Sequence, residues 1–153
     1  MEKYKESIIR INEALNQFKD YFNPEKKIDF KKLGGDIKPE SYTLIEGNLQ
    51  NQWIESDQPG VYFIFAASKD GKPTVYIGKA SMNSTVGQRL YKHYKDFYPP
   101  DGDNKILWGD GYIVEAIAII PLYENGFIAP SLEEFLISTL KSQITLSNSM
   151  GNI

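Results

Sequence analysis

Apolar residues at Tyr4, Ile8, Ile11, Leu15, Phe18 and Phe22 recur at alternating steps of four and three. That spacing draws one stripe along a helix and predicts an amphipathic helix over residues 3 to 22. Asn23-Pro24 ends it, because proline pushes the preceding residue out of helical geometry. Residues 25 to 58 carry Lys-rich and Gly34-Gly35 segments with no period, and are expected as loops with a short helix or strand. From Gly60 to Ala66 the chain is rich in aromatic and β-branched residues, which predicts a strand. Asp70-Gly71 marks a turn, and Thr74 to Gly78 is the returning arm of a hairpin.

Thr85-Val86-Gly87-Gln88 has the spacing of a capping box and opens a helix through about Phe97. Val86, Leu90, Tyr94 and Phe97 form its buried stripe. Tyr98 to Gly102 is a loop, Gly111 to Ile120 a strongly apolar third strand closed by Pro121. Pro130-Ser131 then opens a last helix to about Gln143. No internal repeat or low-complexity tract interrupts this order. The expected fold is α/β (α+β): a small three-stranded, mainly antiparallel sheet flanked by helices, with an added N-terminal helix. Residues 1–58 form a helical arm and 59–153 the core. The stripe on the first helix fits either burial against that core or a homodimer seam, although under three heptads is short for a coiled coil.

A chain of 153 residues with 41% hydrophobic and 13% aromatic content suits a single domain with a real core. The absence of cysteine excludes disulfides and thiolate metal sites, and with a single histidine a zinc-finger accessory module is excluded too. The N-terminus lacks the apolar centre of a secretory signal, and Glu2, Glu6, Glu13 and Asp20 argue against a transit peptide. No apolar run approaches the roughly 20 residues of a membrane span. A soluble, cytoplasmic protein without membrane contact is expected.

Seventeen Lys and Arg against twenty Asp and Glu give a net charge of −3, whereas strong non-specific DNA binders are usually basic. Distribution matters more than the sum. Lys69, Lys72, Lys79, Arg89, Lys92, His93 and Lys95 gather within one stretch, so an acidic remainder is compatible with a basic cleft. Weak, salt-sensitive DNA binding follows.

Hydrolysing a phosphodiester needs a deprotonated water, neutralisation of the in-line transition state and stabilisation of the leaving oxygen. Tyr62 and Tyr76 lie on the two arms of the hairpin. Tyrosine is a favoured strand residue, so each phenol alone is as readily architecture as chemistry. A strict two-residue turn would pair Phe65 with Tyr76 and send the two phenols to opposite faces. An odd loop or a bulge would bring them to one face, and a shared site requires it.

Arg89 and His93, four residues apart, share a helix face. The arginine fork matches phosphate geometry, and the imidazole suits a hydrogen bond to Tyr62 or to the attacking water. A surface ion pair for Arg89 and a solvated or core-edge His93 are the structural alternatives. Lys79, Arg89 and Lys92 are the candidate phosphate contacts. Ser131 and Glu134 have capping-box spacing, which gives Glu134 a structural task. Glu133 instead shares its face with Ile137, Leu140 and Ile144, and so rises from the rim of the buried face. Glu133 is the candidate ligand for a hard divalent cation, Mg²⁺ or Mn²⁺. Asn148, after the last helix, is either a routine turn residue or a site residue.

Together these positions resemble the GIY-YIG endonuclease superfamily over roughly residues 58 to 152. Gly60-Val61-Tyr62 matches its first motif with valine for isoleucine, and Val75-Tyr76-Ile77-Gly78-Lys79-Ala80-Ser81 matches the second. Gly87-Gln88-Arg89-Leu90-Tyr91-Lys92-His93 matches the arginine helix, and Glu133-Glu134-Phe135-Leu136-Ile137 the glutamate motif. Asn148 stands at the family's terminal asparagine. The resemblance implies one-metal hydrolysis of DNA, with Tyr62 as general base or water-orienting group helped by a histidine, here His93, or a lysine. It implies that Tyr76 positions water or phosphate, Arg89 stabilises the transition state, Glu133 holds the metal and Asn148 braces the site. Family members usually owe specificity to attached domains, and here the N-terminal arm is the only addition. A catalytically weak or inactive nucleic-acid or protein interaction module on the same fold is the alternative, and a partner protein is a further expectation.

Overall fold

The computed structural model describes residues 2–21, 33, 55–94, 107–108 and 111–148. The expectations for Phe22, the Asn23-Pro24 stop, residues 25–54, Lys95, Phe97 and the Tyr98 to Gly102 loop lie outside the described residues. The elements are α1 (Lys5–Asp20, entered through a 3-10 turn), β1 (Gly60–Ala67), β2 (Pro73–Ala80) and α2 (Val86–Tyr94), then β3 (Leu107–Trp108), β4 (Tyr112–Pro121) and α3 (Ala129–Leu140). The sheet is antiparallel throughout, in the order β2-β1-β4-β3. Three long strands carry it, and the two-residue β3 extends the β4 edge. The α+β class expected from the sequence is present. No helix among the described residues is long and apolar enough to cross a membrane.

β1 is central and buried at every position, because helices cover both faces of the sheet. Val61, Phe63 and Phe65 face one way, together with Val75, Ile77, Ala116, Ala118 and Ile120, and pack with residues of α1 and α3. Tyr62 and Ile64 face the other way and pack with Val86 and Leu90 of α2. A bulge in β4 makes the two sets consistent: Phe65 pairs with Ala116 but Ala66 with Val114, leaving Glu115 without an opposite. One extra residue reverses the alternation, so Val114 joins the α2 face while Ala116 stays on the α1/α3 face. The extruded Glu115 carboxylate meets Lys3 at 2.6 Å.

The stripe on α1 is consumed inside the chain. Tyr4, Ile8, Ile11, Leu15 and Phe18 are all buried in the α1/α3-side core, with Tyr4 edge-on to Phe65 at 5.4 Å and Phe18 against Phe135 at 5.3 Å. Of the two readings of that stripe, burial against the core holds, and a dimer seam on the same residues has no surface left. Polar positions behave as the period requires: Asn12 sits beside the stripe and exchanges two hydrogen bonds with the backbone of Leu33.

Both sequence-level caps can be compared with the structure. At α2 the reciprocal bonds form, Gln88 N–H to Thr85 Oγ1 and Thr85 N–H to Gln88 Oε1, each 3.2 Å. The next amides, Val86 and Gly87, donate to the carbonyls of Gln58 and Ser56, which docks the start of α2 on the turn preceding β1. At α3 the expected Ser131 cap does not form. That helix begins at Ala129 with Ile128 at its cap position and no side-chain cap bond. The 3-10 turn Tyr123–Ile128 feeds directly into it, and Pro130 sits in the first turn, where a missing N–H costs nothing.

Candidate active site

The hairpin loop decides whether the two phenols can meet. Ser68 N–H donates to Lys72 C=O and Gly71 N–H donates to Ser68 C=O, which leaves Lys69, Asp70 and Gly71 as a three-residue loop. Gly71 holds φ +81, a left-handed value that a β-carbon would disfavour. The loop is odd, so Tyr62 pairs with Gly78 and Ile64 with Tyr76, and both phenols lie on the α2 face. Their ring centroids are 6.2 Å apart. His93 closes the group, its ring 6.1 Å from Tyr62 and 5.4 Å from Tyr76, edge-on to both.

Gly78 is the seat of this cluster. A β-carbon there would stand 2.3 Å from Tyr62 Cζ and 2.4 Å from its hydroxyl oxygen. The Tyr62 ring therefore crosses directly over Gly78, and since β2 is the outermost strand, the hydroxyl arrives at the edge of the sheet. The glycine two residues after Tyr76 is the floor under Tyr62.

The Tyr62 hydroxyl lies 2.9 Å from His93 Nε2. Burial pushes the Tyr62 phenol well above its ordinary range; the neighbouring Tyr76 and the charge of Glu133 push the same way, and Arg89 opposes them. Burial also holds the His93 imidazole below its usual value, and the Arg89 charge adds to that. With the phenol protonated and the imidazole neutral, the tautomer that carries its proton on Nδ1 has Tyr62 donating and Nε2 accepting. Arg89 is exposed one turn before His93, and its guanidinium has no ion-pair partner among the described residues. Lys92 is exposed beside His93.

The depressed imidazole has a sign that can be measured. The unfolded chain, with an ordinary histidine near 6.5, takes up its proton first as pH falls. Stability contributed by His93 is complete above that value and is lost as pH drops through the lower folded-state value. His93 is the only histidine, so one imidazole proton resonance reports it. Its midpoint is expected below 6.5 in the folded chain and should rise in Arg89→Ala, which removes the smaller of the two causes. A midpoint at or above 6.5 would contradict the buried, neutral ring.

Glu133 approaches the same edge from the opposite side. On α3 its side chain is 13% exposed, whereas Glu134 points into solvent, the distinction drawn from the sequence. Its carboxylate is bound by the ammonium of Lys79, which follows Gly78 on β2 and projects toward α3. The pairing of Lys79 with Glu133 was not foreseen, because the two are 54 positions apart with no shared local pattern. Among the described residues there is no group of three or more His, Asp or Glu able to hold a metal ion. One carboxylate fits Mg²⁺, which commonly takes one or two protein carboxylates and completes its shell with water and phosphate. In this structure the Glu133 carboxylate is occupied by the Lys79 ammonium.

Asn148 has a fixed task. Its Oδ1 accepts from Ile77 N–H at 2.8 Å and its Nδ2 donates to Ile77 C=O at 2.6 Å. Just before it, Val75 N–H donates to Thr145 C=O and Ser147 N–H to Val75 C=O. Residues 145–148 thus lie along the outer edge of β2 like a short parallel strand, with the Asn148 amide imitating its last peptide. Both groups of the amide pin the residue between Tyr76 and Gly78. Asn148→Asp keeps the acceptor and loses the donor, placing a carboxylate oxygen against the Ile77 carbonyl in a site only 7% exposed. A loss of about 1–3 kcal/mol is expected in urea unfolding at pH 7. It should shrink below pH 4, where a protonated Asp donates again; equal loss at both pH values would argue against this pairing.

The structure thus gathers Tyr62, Tyr76 and His93 into ring contact, sets Arg89 one turn away, and brings Glu133 with Lys79 to the edge that Tyr62 reaches. It does not gather Lys69 and Lys72. They sit at the hairpin loop, six or more residues along the strand from Tyr62, roughly 20 Å at about 3.3 Å per residue. The basic cluster seen in the sequence is therefore split. Comparisons with protein-family models, with curated proteins and with solved structures give no match.

Proposed function

We propose that this chain is a metal-dependent DNA endonuclease of the GIY-YIG kind, hydrolysing phosphodiester bonds with a single Mg²⁺ or Mn²⁺ at Glu133. The observation that carries the reading is the Tyr62 hydroxyl, bonded to a neutral His93 at 2.9 Å and subject to the charges of both Arg89 and Glu133. A phenol held protonated by burial is a poor base by itself. With His93 beside it, it can pass a proton on: as Tyr62 oxygen takes a proton from the attacking water, its own proton moves to His93 Nε2. The hydroxide then attacks phosphorus in line. The Arg89 guanidinium faces the non-bridging oxygens and stabilises the charge that develops on them. Tyr76, against both rings, positions the water or the phosphate. Glu133 would hold the divalent cation, which would supply charge neutralisation as the bond from phosphorus to the leaving oxygen breaks.

Incubation of the chain with supercoiled plasmid and Mg²⁺ or Mn²⁺ tests the reading. Nicking that depends on the added metal and is lost in Glu133→Ala supports it. Failure to cut duplex, branched and single-stranded DNA alike, by protein that is folded and binds the metal, would make the chain an interaction module on the same scaffold.

A further inference from the structure

We infer that Lys79 competes with the divalent cation for Glu133, and that substrate phosphate settles the competition by drawing Lys79 away. The inference rests on the proposed metal role of Glu133. Its basis is the ion pair itself, which joins the residue after Gly78 to the Glu133 carboxylate. The two partners differ in mobility. Glu133 is 13% exposed on a helix turn packed into the core, whereas Lys79 is 38% exposed on a flexible stem. Its backbone is held between the Asn148 clamp at Ile77 and its pairing with Val61. The ammonium can therefore swing while the chain stays still.

Charge explains why the swing is coupled to substrate. With the site empty, Lys79 neutralises Glu133. A dication added there without phosphate would put two positive groups, the metal and the Lys79 ammonium, on one carboxylate. A phosphodiester brings the missing negative charge and offers Lys79 an acceptor, releasing Glu133 to the metal. Partly exposed pairs are weak enough to break for such an exchange. Cation and DNA then bind with positive linkage, and linkage is reciprocal: each tightens the other by the same factor. Metal entry in the absence of substrate is suppressed.

The test is calorimetric titration of Mn²⁺ into wild type, Lys79→Gln, Lys79→Arg and Glu133→Gln. Each is measured alone and with a short phosphorothioate duplex that is cleaved slowly, with the duplex blank subtracted. Wild type is expected to bind Mn²⁺ about tenfold tighter with the duplex than without, within the usual range of such couplings. Lys79→Gln should bind Mn²⁺ about tenfold tighter than wild type without DNA, with the duplex adding little. Lys79→Arg, which keeps the charge, should restore the linkage. Wild-type affinity and wild-type linkage in Lys79→Gln would overturn the inference while leaving the metal site standing, provided Glu133→Gln loses Mn²⁺. If Glu133→Gln binds Mn²⁺ as wild type does, the proposed site itself falls.

Discussion

Alanine at position 78 should disable the site more than it damages the fold. Its β-carbon would lie 2.3, 2.4 and 2.7 Å from three atoms of the Tyr62 ring, where ordinary contact begins near 3.4 Å. The ring has little room to retreat: Tyr62 is 2% exposed, with Tyr76 and His93 against it. It must tilt away from the edge, and the 2.9 Å bond to His93 breaks. Overpacking of this kind costs about 1–3 kcal/mol. A misplacement of about an ångström at a reacting group costs on the order of 10² in rate. Urea unfolding, plasmid nicking and the His93 resonance can be followed on one variant. A Gly78→Ala protein with wild-type nicking and an unchanged His93 titration would show that Tyr62 does not sit over this residue.

Arg89→Ala should have the opposite balance, a large loss of rate with almost none of stability. The side chain is exposed and unpaired with any carboxylate among the described residues, so the fold gains little from it. Its charge nevertheless acts on both partners of the proposed proton path, lowering the pKa of Tyr62 and of His93. Removing a donor that serves the transition state costs about 10²–10³ in kcat. Arg89→Lys should recover only part of this, since an ammonium cannot present two parallel N–H groups to a phosphate. Single-turnover nicking rates at saturating DNA distinguish these outcomes. A loss of less than twofold in Arg89→Ala would remove Arg89 from the chemistry.

Most of what local chemistry governs was readable from the chain. The capping box at Thr85 and Gln88, the α1 stripe and the different faces of Glu133 and Glu134 depend on neighbours three or four positions away. The hairpin was legible as a condition: two phenols in one site demand an odd loop, and the loop is odd. What escaped depends on partners far apart. The Glu115 bulge answers to packing on both faces at once. Asn148 meets Ile77 across 71 positions, and Lys79 meets Glu133 across 54. The Ser131 cap failed for a local reason, because the turn before α3 leads into the helix early, with Ile128 rather than Ser131 at the cap position. The separation of Lys69 and Lys72 from the site follows from strand length, which a cluster in sequence conceals.

Residues 145–148 have a consequence beyond support of the site. The outer border of a sheet is ordinarily where another extended chain can attach, whether a recognised peptide or a second copy beginning an aggregate. Here the outward backbone groups of Val75 and Ile77 are already taken by the chain's own tail segment. Along that stretch, recruitment of visitors by backbone pairing is closed, and whatever docks beside the phenols must be held by its charges and surfaces.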